Sequence, residues 1–146
     1  MKKSLIFFTL LILFFAASCE DIDSNSSQIA PTQSNPNGDS ELALLMREMF
    51  EDGMRIKQQI ERGEKPEFLK KFEAIHTAEA TEPEKAASDT YKHFGDAYLK
   101  ALESLQNANS DELFDAYQGM VTSCMSCHQA LCPGPMVRIK KLYLEN

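Results

Sequence analysis

Cys124 and Cys127 stand three positions apart and His128 follows directly, in the run Cys124-Met125-Ser126-Cys127-His128. On a helix, positions i, i+3 and i+4 share one face, so two thiols and an imidazole would point the same way. Thiols at this spacing can each add to a vinyl group of one porphyrin to form thioethers, and the adjoining imidazole can then reach the iron. C-x-x-C-H is the signature of c-type haem attachment. The expected cofactor is therefore one covalent haem c, with Cys124 and Cys127 as the thioether residues and His128 as proximal iron ligand. A zinc ion could instead take Cys124, Cys127, Cys132 and His128, but four ligands from one helix surround a tetrahedral ion poorly. A thioredoxin-like dithiol needs a strand–helix context, and the chain offers no strand pattern.

The amino terminus places this chemistry outside a cytoplasm. Met1-Lys2-Lys3 is a short basic start, and the apolar stretch after it is too short to span a bilayer. It ends in Ala16-Ala17-Ser18-Cys19, small residues before a cysteine, which reads as a cleavable secretory signal over residues 1–18. The ending resembles the lipobox of bacterial lipoproteins, with Ala16 in place of the usual leucine. That resemblance implies that Cys19 becomes the lipidated first residue. Residues 19–40 open on Glu20-Asp21-Ile22-Asp23, continue rich in Ser, Asn, Gln and Pro, and read as a flexible tether. The expected location is the bacterial cell envelope, on the periplasmic face or the outer-membrane surface, with the membrane reached through Cys19. Covalent haem attachment takes place in that same compartment.

Residues 41–146 are left for one domain with a carboxyl-terminal extension. Its periodicity is helical throughout. Leu42, Leu45, Met46, Met49, Gly53, Ile56 and Ile60 form a first stripe, with Ser40 placed to cap it and Gly63 placed to end it. A second helix is expected over residues 66–80 from Phe68, Leu69, Phe72 and Ile75. A third opens at Pro83 and carries Tyr91, Phe94, Tyr98, Leu102 and Leu105. A fourth follows an Asn109–Glu112 capping box and carries Tyr117, Met120, Val121, the haem motif and Leu131, until Pro133 stops it. The fold class is all-α, an antiparallel four-helix bundle with covalent haem on its last helix.

With C-x-x-C-H on the fourth helix, residues 40–131 resemble the cytochrome c-prime superfamily. The resemblance implies a distal residue on the first helix at Met46, with Met49 as runner-up and Met54 a weaker third. A methionine there implies a six-coordinate iron and electron transfer. A non-ligating residue implies a five-coordinate haem that binds gases such as NO or CO. The expected function is thus a lipid-anchored carrier of single electrons that serves redox partner proteins, and the alternative is a gas binder. No enzymatic activity is expected, because Arg47 and Glu48 beside Met46 should face away and leave no distal acid–base pair. The superfamily also implies a possible homodimer. Two cationic positions common in it are Leu42 and Cys132 here.

The formal charge is −7, or −9 once Lys2 and Lys3 leave with the signal, and nothing in it suggests nucleic acid, which would want a basic face. His76 and His93 read as surface or partly buried helix residues, with bis-histidine ligation through His93, beside Phe94, as the minor alternative. Cys132 is left without a partner once the other thiols are assigned; it is open to intermolecular pairing, to remaining free, or to contact with the proximal haem side. Arg138, Lys140 and Lys141 are open between propionate contact and simple solvation.

Overall fold

The Ser40 side chain accepts a hydrogen bond from the Ala43 amide at 3.3 Å and opens α1, Glu41–Glu61, at the expected cap. Beyond Arg62, Gly63 takes φ +70°, the left-handed conformation glycine adopts without strain. The computed structural model describes residues 38–68 and 72–145, all within the unit Ser34–Asn146. The signal over 1–18, Cys19 and the tether as far as residue 37 lie outside the described residues. The described chain is helical and contains no strand.

Residues 66–80 depart from expectation. In place of a full helix, their described part holds a single 3-10 turn, Glu73–His76. Neighbouring elements take the Ile75 carbonyl and the Glu79 amide, which a longer helix would pair with each other, and bond further groups of the segment. The Tyr91 hydroxyl donates to the Ile75 carbonyl at 2.7 Å, and the Leu42 amide donates to the Glu79 carbonyl at 2.9 Å. Glu41 accepts from the Glu79 amide, while the Gln59 side chain accepts from Glu67. The apolar positions still do their packing, since Phe72 and Ile75 are buried. Three long helices, not four, thus stand among the described residues.

The third segment is interrupted as well. A one-turn helix, α2 (Pro83–Ala86), precedes α3 (Asp89–Asn107). Ser88 makes the break, because its oxygen accepts from the Tyr91 amide while its hydroxyl donates to the Lys85 carbonyl. Glu112 accepts from the Asn109 amide as a capping box requires, but the Asn109 side chain accepts from Asp111 instead of Glu112, and regular α4 begins at Leu113 and runs to Leu131. Tyr98, Leu102 and Leu105 of α3 meet Tyr117, Met120 and Val121 of α4 in the core. The Tyr117 hydroxyl donates to the Gly53 carbonyl of α1 at 3.0 Å, joining α4 to α1 inside that core.

After Pro133-Gly134-Pro135 the chain forms α5 (Met136–Ile139) and a 3-10 turn, Lys140–Leu142. This tail is part of the core, with Ile139, Leu142 and Leu144 all buried. Leu142 lies against Gly53, where an added Cβ would meet its Cδ2 at 3.2 Å. Lys57 donates to the Lys141 and Tyr143 carbonyls at 3.1 and 2.6 Å, and the Gln118 amide pairs with both backbone groups of Leu144. No described helix is long and apolar enough to cross a membrane.

Leu142→Ala should destabilise the domain by about 2–3 kcal/mol, the low end of the large-to-small range because a terminal tail can relax. Urea unfolding should show an earlier midpoint with an unchanged m value.

Candidate functional site

The site stands where the start of α1 meets the end of α4. A cavity of about 480 Å³ is walled by Leu42, Met46 and Phe50 of α1, Tyr91 of α3, Cys127, His128 and Leu131 of α4, and Ile139 of the tail. A smaller cavity of about 40 Å³ shares Met46, Phe50, His128 and Ile139 with it and adds Met49, Met120 and Cys124. Both motif cysteines, the histidine and the two first-choice methionines therefore line these two neighbouring cavities, with Met46 and His128 on both. Met54 lines neither cavity.

His76 and His93 lie apart from it. The His76 ring rests on Gly95, where an added Cβ would meet its Cε1 at 2.7 Å, and its Nε2 pairs with Asp96 at 3.0 Å. His93 is exposed on α3.

His128 is buried, and its Nδ1 lies 3.1 Å from the Cys132 carbonyl and 3.3 Å from the Cys132 sulfur. A carbonyl can only accept, so Nδ1 carries the hydrogen and the lone pair falls on Nε2. Burial holds the imidazole below its ordinary pKa, partly offset by that carbonyl, so the neutral, metal-ligating form is favoured. Burial also pushes the Cys124 thiol up to about 12 and Cys127 to about 11, each raised further by a neighbouring thiol. Cys132 is raised by burial, with nearby Lys85 pulling the other way. Among the described residues no three or more His, Cys, Asp or Glu side chains gather as a metal shell.

Three cations line the larger cavity in a chain that is acidic overall. Arg47 bonds to the Gly38 carbonyl and to Asp39, Lys85 pairs with Glu82 at 2.8 Å, and Arg138 lies 4.5 Å over the Phe50 ring while pairing with Glu51. Arg47 corrects the expectation that it faces away from the site; Glu48, as expected, is exposed. Lys85 and Tyr91 were not singled out as site residues. Tyr91 belongs to the α3 stripe and could have been inferred, whereas nothing periodic marks Lys85.

The chain matches no family model, no curated protein and no solved structure.

Burial pushes the Tyr91 hydroxyl up to about 12 and raises Tyr98 and Tyr117 as well. These phenols stay protonated in the folded chain where an unfolded chain would release their protons. The stability they contribute is complete below pH ~10, the ordinary tyrosine value, and declines as pH rises above it, through about 12 for Tyr91 and further for Tyr98 and Tyr117. Urea unfolding at stepped pH should show this decline, with a shallower slope in Tyr91→Phe.

Proposed function

We propose that the chain is a lipid-anchored c-type cytochrome that carries single electrons through one covalent haem c. One observation carries the reading: Cys127, His128 and Met46 wall a single cavity, with Cys124 and Met49 on its smaller neighbour. The residues suit the group. Cys124 and Cys127 would hold it through sulfur, His128 would ligate with the free Nε2, and Met46 would be the first candidate for the opposite side. The apolar walls suit a macrocycle, and Arg47, Lys85 and Arg138 suit its carboxylates. When bound, the haem supplies a one-electron couple whose potential an axial methionine raises.

The protein's own part is to hold the imidazole neutral and oriented, to keep water from the iron with Leu42, Phe50 and Ile139, and to supply or withhold a sixth ligand. The same apolar wall at Leu42 and Phe50 would suit a five-coordinate gas binder if Met46 only packs. Lipid anchoring at Cys19 would put the domain beside membrane-bound donors and acceptors, and the acidic surface would favour a partner with a basic patch.

Expression in a bacterium able to mature such proteins should give a coloured product that keeps its haem through denaturing electrophoresis. Colourless protein with no added tetrapyrrole mass would sink the proposal. The ferrous form should be low-spin and slow to bind carbon monoxide. Met46→Ala should convert it to a high-spin form that binds carbon monoxide at once and has a lower potential, while Met49→Ala should leave ligation intact. Instant carbon monoxide binding by the unaltered protein would instead establish the gas-binding alternative.

A further inference from the structure

Pro133 determines how the end of α4 treats His128. The residue before a proline is pushed out of the helical region, and Cys132 accordingly takes φ −155° and ψ 82° although its amide still donates to the His128 carbonyl. A continuing helix would aim the Cys132 carbonyl along the axis and away from the ring. Here the extended conformation turns it back onto Nδ1 at 3.1 Å and brings the sulfur of the same residue to 3.3 Å. One residue thus offers two acceptors to one N–H, a strong one from its backbone and a weak one from its side chain.

We propose that Cys132 is a positioning residue for His128: its carbonyl, aimed by Pro133, fixes the tautomer, and its sulfur sets how strongly the imidazole donates to iron. This rests on the reading of His128 as the proximal ligand. A stronger acceptor on Nδ1–H makes the ring more basic, which favours the oxidised iron and lowers the reduction potential. Sulfur accepts weakly, so the side chain present should leave the potential between those of a hydroxyl and a methyl at the same place.

The test measures the reduction potential of the haem-loaded protein and of Cys132→Ala and Cys132→Ser. Alanine removes the side-chain acceptor and should raise the potential. Serine strengthens the acceptor and should lower it. Each should change the one-electron equilibrium constant at least threefold, about 28 mV at 59 mV per tenfold. Nitrogen-15 NMR of the ferrous protein should show hydrogen on Nδ1 exchanging slowly with solvent in all three. Pro133→Ala, which frees residue 132 to turn helical, should make that exchange faster while the haem stays attached.

Equal potentials in the three haem-loaded proteins would overturn the role of the sulfur. Unchanged Nδ1–H exchange in a folded Pro133→Ala variant would overturn that of the cap. Either failure in protein that carries covalent haem leaves the cytochrome reading intact. If no haem attaches, the cytochrome reading itself fails.

Discussion

The buried bond from the Tyr117 hydroxyl to the Gly53 carbonyl sets the register on which the site depends. Tyr117 has no exposed surface, so neither group has water as an alternative partner. Met46 precedes Gly53 by seven residues and Cys124 follows Tyr117 by seven, two helical turns in each case. With the helices antiparallel, that common step places Met46 and Cys124 on the faces the bond has already turned toward each other. They line the same small cavity, with His128 one turn beyond. A core hydrogen bond thus aligns two chemical groups that it does not touch.

The tail completes what the shortened second segment leaves. With only a 3-10 turn among the described residues of 66–80, α1 lacks a long partner on that side. Its cover comes from Phe72 and Ile75 on one flank and from Leu142 on the other, seated against Gly53. Lys57 and Gln118 then satisfy tail carbonyls and amides as a neighbouring backbone would, and such pairing keeps an irregular segment buried without orphaned polar groups. Because Ile139 and Arg138 of this tail also line the large cavity, packing at Gly53 and the shape of the site are coupled through one short segment.

What was legible in the chain followed from local rules. Ser40, Gly63 and Pro133 mark helix ends by side-chain capping, positive φ and a missing amide, and each acts within a few residues. The faces of α1, α3 and α4 were equally readable, because a period near 3.6 residues survives whatever packs on it. The placement of the motif on α4 was legible for the same reason, and His128 lines both cavities, with Cys127 on the larger and Cys124 on the smaller. The second helix failed because its apolar spacing says nothing about Tyr91 and Glu41 taking its Ile75 carbonyl and Glu79 amide from far along the chain. The tail had too short a period to be seen as core, and Arg47 was missed because a long side chain need not follow its Cα direction. Lys85 reaches the cavity from α2, the separate turn that Ser88 divides from the third segment.

The two positions at which the resemblance would place cations bear on how the site handles charge. Leu42 and Cys132 both line the large cavity, so neither of those two positions supplies a cation to it. Positive charge comes instead from Arg47, Lys85 and Arg138, each already matched to an acidic partner at Asp39, Glu82 or Glu51. A carboxylate arriving at this cavity would compete with an existing pair rather than meet a free cation, so each contact would gain only the difference between two similar interactions. On the cytochrome reading, the burden of holding the cofactor then falls on its covalent and axial bonds. This returns the weight to α4 and its end, where Pro133 stops the helix, Cys132 turns back, and His128 is left with one nitrogen committed and the other free.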